Sequence, residues 1–194
     1  MQLSGLQMHD PRTDLRVHVL HADVAEGRSF ELEYSAPPGS PRDLILPHWH
    51  QSWSERFEVL SGQGRYRLAR REVDLHEGDS VELPPGLTHL HPWNTGSVEL
   101  RVRQTTTLAQ PNPAAVQETI LSFAMLFWLS REGKVDTGGM PHPLQAALIL
   151  QKLQQHGGYL PGLPVAVQTR LINALAAWGR RRGYVAFNPA CLRA

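Results

Sequence analysis

The chain has a single cysteine, Cys191, in 194 residues, so no intrachain disulfide can form and the fold must stand without covalent cross-links. Cys191 is also the fourth residue from the end, which argues against a thiolate role in a central site. Charge of one sign is missing too: 19 Lys and Arg balance 18 Asp and Glu, leaving no net field to draw nucleic acid or an anionic membrane. No apolar run reaches the roughly 18 residues needed to span a bilayer. Residues Met1 to Pro11 lack the basic, apolar and small-residue succession of a secretory leader, so a cytoplasmic protein is the default expectation. Internal repeats and low-complexity segments are likewise missing.

What the chain has is histidine, in a pattern. In His48-Trp49-His50, if residues 44–50 run as a strand, His48 and His50 share a face, because side chains alternate with a period of two. Glu55 opens the next run, where Glu55, Phe57 and Val59 share one parity, so the carboxylate points inward between apolar neighbours. A Pro84-Pro85-Gly86 turn leads to His89, and by parity His91 and Trp93 follow it to the same side. Three neutral imidazoles and a carboxylate form a mixed nitrogen and oxygen donor set suited to Fe, Mn, Ni, Zn, Co or Cu. Four protein donors would leave an octahedral ion two open positions. Left without an ion, buried donors of this kind would each cost about 1–3 kcal/mol.

The remaining pattern divides the chain. Arg16–Leu20 and Ser29–Ser35 read as strands, the latter from Phe30, Leu32 and Tyr34 alternating with Glu31 and Glu33. Gly62 and Gly64 turn the chain into a strand over Arg65–Ala69, and a short hairpin tip follows at Arg70-Arg71-Glu72. Val98, Leu100 and Val102 alternate with Glu99, Arg101 and Arg103, after which strand pattern is expected to stop. Asn112-Pro113 then reads as a helix cap and first turn. Helices are expected over about 113–131, 143–156 and 164–182, the last closed by Arg180, Arg181 and Arg182 at its negative end and by Gly183. The first is apolar nearly all round from Ile120 to Leu129, the mark of a buried helix. One barrel can cover only one side of it, so the other helices or a second subunit should cover the rest.

The strings His48-x-His50-x4-Glu55-x6-Gly62 and Gly78-x5-Pro84-x-Gly86-x2-His89 resemble both sequence motifs of the cupin superfamily, and the likeness extends over about residues 28–108. Two positions depart from it: Arg42 stands where the first motif usually begins with Gly, and Trp93 where the second usually ends with Asn, Asn94 coming one residue later. The resemblance implies a mainly β fold, a cupin jelly-roll barrel over residues 14–108, followed by three C-terminal α-helices over 112–184. It also implies one divalent transition metal held by His48, His50, Glu55 and His89, with His91 left as the candidate acid and base. Pro143-Leu144-Gln145-x-Ala147 and Leu175-Ala176-x2-Gly179-Arg180-x2-Gly183-Tyr184 resemble the extension of a group of bacterial cupin-domain proteins with no assigned reaction, which adds architecture and no mechanism. The expected activity is that of a metal-dependent oxygenase or isomerase acting on a small molecule. The alternatives are a metal-anchored binding or sensing module without turnover, and a purely structural assembly unit. Because cupin-like barrels commonly pair, a homodimer is expected. Nucleic-acid and membrane partners are not.

Overall fold

The computed structural model describes residues 2–42 and 46–193. In chain order its strands are β1 (Gln7–Asp10), β2 (Leu15–Ala22), β3 (Ser29–Ala36), β4 (Trp49–His50), β5 (Trp53–Ser61), β6 (Gln63–Leu68), β7 (Arg71–His76), β8 (Ser80–Leu83), β9 (His89–Asn94) and β10 (Leu100–Leu108). Helices α1 (Pro113–Arg131) and α2 (Pro143–Gln155) follow, then the two-residue strand β11 (Gly158–Tyr159), α3 (Val165–Arg181) and a 3₁₀ turn at Pro189–Leu192.

Antiparallel pairing builds a sheet in the order β1-β2-β3-β10-β5-β8 and a second in the order β7-β6-β9. Their inner faces meet: Tyr34, Phe57, Val59 and Val102 of the first sheet pack with Tyr66 and Leu75 of the second. Strict alternation produces this core. Along β3, Phe30, Leu32, Tyr34 and Ala36 are buried, while Glu31 and Glu33 face out and pair with Arg103 and Arg101 of the neighbouring strand. Gly62, at φ +85°, turns β5 into β6 where a Cβ would stand 2.6 Å from the Glu99 carbonyl oxygen, so only glycine fits. The result is a jelly-roll barrel followed by three helices, as the sequence implied.

Three local differences from the sequence reading have physical causes. Strand β10 runs on to Leu108 rather than stopping near Val102. Its inward positions there are Gln104 and Thr106, polar side chains that hide the alternation although both are buried. The tip at residues 69–70 opens β7, a full strand whose inward apolar signal is almost confined to Leu75. The strand expected over 44–50 lies partly outside the described residues; of the rest, Trp49 and His50 are strand and His48 forms an isolated bridge to His89.

Helix α1 begins as expected, with Asn112 Oδ1 accepting from the Ala115 amide at 3.0 Å. Val116, Ile120 and Met125, which point to different sides of the helix, complete a second core with Leu3, Val19, Phe30 and Trp53. The chain itself covers other parts of α1. Glu118 accepts from Lys152 of α2 at 2.8 Å, and Arg131 donates to the Arg193 carbonyl beyond the 3₁₀ turn. Helices α2 and α3 pack through Ala147, Leu148 and Ala176. Strand β11 pairs with β4, Gly158 opposite His50 and Tyr159 opposite Trp49, which ties the extension to the first histidine motif.

Candidate metal centre

Strand β5 positions the carboxylate. Trp53 belongs to the core shared with α1 and Phe57 to the core between the sheets, so Glu55, on the same face between them, is held where the two cores meet. It is 3% exposed, and its Oε1 accepts a 2.8 Å hydrogen bond from Gln104 Nε2 on the adjacent β10. Gln104 in turn donates to Thr106 Oγ1 at 3.1 Å. The sequence reading did not single out Gln104; its signal was a polar residue at a buried parity next to an inward carboxylate.

The other oxygen, Oε2, is a hub. His89 Nε2 lies 2.9 Å from it, His91 Nε2 3.3 Å and His50 Nε2 3.6 Å. His48 Nε2 is 3.2 Å from His89 Nε2. One donor atom from each of His48, Glu55, His89 and His91 lies within 4.8 Å of all the others, a group able to hold a metal ion. Thus His48, Glu55 and His89 of the four ligand candidates fall in the tight group together with His91, the acid–base candidate. His50 stands beside it, stacked on Trp53 with ring centroids 4.6 Å apart and planes at 15°.

The hydrogen bonds decide which nitrogens are bare. His48 Nδ1–H donates to the Leu46 carbonyl at 2.8 Å and His89 Nδ1–H to the Leu87 carbonyl at 2.9 Å. In the neutral ring this leaves an unprotonated Nε2 on each, and these two lone pairs face each other and a carboxylate oxygen. Such an arrangement is repulsive unless a cation lies among the donors. The separations of 2.9–3.6 Å also match the edges of a coordination polyhedron with bonds of about 2.0–2.2 Å. Fixing the tautomer through a backbone carbonyl is a recurrent device at metal-ligating histidines. Finally, Nδ1 and Nε2 of His50 and Nδ1 of His91 are buried with no hydrogen-bond partner. The residues present therefore fit a metal ion.

Burial sets the charge states. It pushes the His48 imidazole well below its ordinary value of 6.5 and lowers His91 as well, so both are neutral near pH 7. Burial alone would raise Glu55, but the imidazoles of His91 and His50 beside it hold its carboxyl well below the usual range. The Tyr34 hydroxyl, buried and near Glu55, is pushed well up and donates to the Pro92 carbonyl at 2.9 Å.

The centre opens into a cavity of about 270 Å³ lined by His48, His50, Glu55, His91 and Trp93 on the barrel side. Trp93 follows the inward parity read from the sequence. Asn94, displaced by one from its usual motif position, still ties the turn: its side chain donates to the carbonyls of Ala36 and Val98, both at 2.8 Å, and accepts from the Gly96 amide. Trp49 packs on Tyr159, centroids 5.0 Å apart. His76 is exposed, and His142 caps α2 by accepting from the Leu144 amide at 3.2 Å.

Fold and site together define a double-sheeted barrel built around a buried histidine and carboxylate cluster. Residues 33–106 match the family model of the cupin domain. An uncharacterized protein of Methanocaldococcus jannaschii is 26% identical over 84 residues, which is 43% of this chain and 65% of that one. The chain thus spans just under two thirds of that relative's length. Among solved structures, a predicted oxalate decarboxylase from Thermotoga maritima is similar at 21% identity and a TM-score of 0.46, over 53% of this chain and 90% of that one. The Cnp3 cupin domain of Schizosaccharomyces pombe is similar at 14% identity and a TM-score of 0.40, over 48% and 64%.

Proposed function

We propose that this chain is a cupin and a metal-dependent enzyme acting on a small molecule, an oxygenase or isomerase, with the ion held by His48, His50, Glu55 and His89 and with His91 as acid and base. The observation that carries the reading is the convergence of bare His48 Nε2, His89 Nε2 and Glu55 Oε2. A bound first-row ion would supply Lewis acidity toward a substrate oxygen or, if redox-active, electron transfer. His48 and His89 are oriented by their carbonyl contacts, and Glu55 by Gln104. His91 lines the cavity with Nδ1 free of protein partners, which suits it to take or give a proton there. Its Nε2 also stands nearer Glu55 than that of His50, so His91 is the competing candidate for the fourth donor position.

Elemental analysis of protein purified without chelator tests this. One equivalent of a transition metal per chain is expected, lost in His48→Ala and His89→Ala; the comparison of His50→Ala with His91→Ala assigns the fourth donor. Well under half an equivalent, both as purified and after reconstitution, would refute it. If the metal proves to be redox-inert and no turnover of oxygen or isomerisable substrates is found, the same site serves as a metal-anchored binding or sensing module.

A further inference from the structure

The cavity over the centre is only half made by the barrel. Helices α1 and α2 supply the opposite wall through Phe123, Phe127, Ile149 and Leu153. Among the described residues, charged side chains on the wall other than Glu55 are Asp10 and Arg42, and both are engaged: Asp10 accepts from Ser130 at 2.6 Å and Arg42 pairs with Glu72 at 3.5 Å. Among the described residues, two buried side-chain oxygens lack a hydrogen-bond partner, Thr119 Oγ1 on α1 and Gln154 Oε1 on α2. Both residues line this cavity, at 3% and 8% exposure. Buried polar atoms are nearly always paired. Two of them on a helical wall whose other polar side chain, Ser130, is already paired, with unpartnered imidazole nitrogens on the barrel side, describe a chamber that a ligand completes.

We propose that the C-terminal extension is the substrate-binding half of the site, and that its substrate is an apolar small molecule with one oxygen-bearing group for the metal and a hydrogen-bonding group for Thr119 and Gln154. The proposal rests on the metal-dependent reading above and adds the substrate class to it. Size follows from the volume: about 270 Å³ lies at the small end of the range of small-molecule pockets, so the body is a compact small molecule rather than a polymer segment. Small dicarboxylates and sugar phosphates are disfavoured, because among the described residues no uncommitted cationic side chain on the wall awaits their second charge.

Two hydroxamic acids separate the chamber from the metal. Acetohydroxamic acid carries the chelating head alone; octanohydroxamic acid adds an alkyl body. Calorimetry on the metal-loaded full chain should show octanohydroxamate binding at least about 100-fold tighter, since each buried methylene is worth about fourfold. Ala146→Trp, which fills the chamber from α2, should abolish that advantage with metal content unchanged, and Leu150→Trp serves if the first variant fails to fold. Equal affinities for the two probes, or an advantage that survives both variants, would overturn the proposal. A chain that takes up no metal and binds neither hydroxamate would instead refute the metal reading. The chamber is then tested by 1-octanol, which should raise the melting temperature of the wild type and not of Ala146→Trp; no rise in the wild type overturns the chamber as well.

Discussion

Replacing Gln104 by Leu would show whether the carboxylate is held for a metal or only for packing. Leu has nearly the same volume, so the buried site beside Glu55 stays filled and no cavity opens. What is lost is the 2.8 Å hydrogen bond to Glu55 Oε1 and the 3.1 Å link to Thr106 Oγ1. A carboxylate oxygen, in a residue only 3% exposed, is left unpaired. That costs about 1–3 kcal/mol and more for a charged group. The orientation of Oε2 toward the three imidazoles is loosened too. Loss of a partner that orients a ligand typically lowers metal affinity 10–100-fold. Competition against a chelator at pH 7.5 should therefore give an affinity reduced by about that factor, with the far-ultraviolet spectrum unchanged. Thr106→Val, which removes only the anchor behind Gln104, should have a smaller effect in the same direction. If Gln104→Leu bound metal within twofold of the wild type, Glu55 would not depend on this bond, and the reasoning from orientation would fail.

Other expectations follow from the same geometry. His50→Ala should stay folded, because the barrel core does not include it; loss of regular secondary structure by circular dichroism would refute the separation of site from scaffold. Metal-free protein should lose stability on acidification: the folded His48 and His91 resist protons that the unfolded chain accepts below about 6.5, and Glu55 adds a further loss below about 4.5. A melting temperature that is level or rising from pH 7.5 to 5.5 would contradict this. Truncation at Gln110 removes Val116, Ile120, Met125 and Leu129 from the core they share with the barrel. At about 1.5–3 kcal/mol per large side chain the loss rivals a domain's whole stability, so the truncated barrel should aggregate or unfold in light scattering and denaturant titration, and full solubility would refute it. Gly179→Ala would place a Cβ 2.5 Å from Leu148 Cδ1 and 2.9 Å from the Leu144 carbonyl oxygen. Spreading α3 from α2 should cost about 1–3 kcal/mol, read as a drop of several degrees in melting temperature.

The site was legible where chemistry demands fixed spacing. His48, Glu55 and His89 are held by alternation and by a proline–glycine turn, local rules that a sequence displays directly. The caps at Asn112 and Gly183 and the Pro at position 143 announced the helices for the same reason. Parity could not rank His50 against His91, since it places both inside, and the decision lies in ångström-scale approaches to Glu55 Oε2. Nor could it find Gln104 or the end of β10, because a polar residue that is satisfied inside a barrel looks like one facing water. The apolar perimeter of α1 announced burial without saying against what; part of it faces a chamber rather than another surface.

The pairing of Gly158 with His50 joins residues more than a hundred positions apart, through a sheet only two residues long. A nascent chain emerges from its N-terminal end, so every imidazole and Glu55 exist well before β11 and α2 arrive to close over them. Contacts of such long sequence separation form late, since their loop closure must first be met. If the barrel gathers these donors before that closure, an ion bound then would be taken up before the finished chamber could select for it.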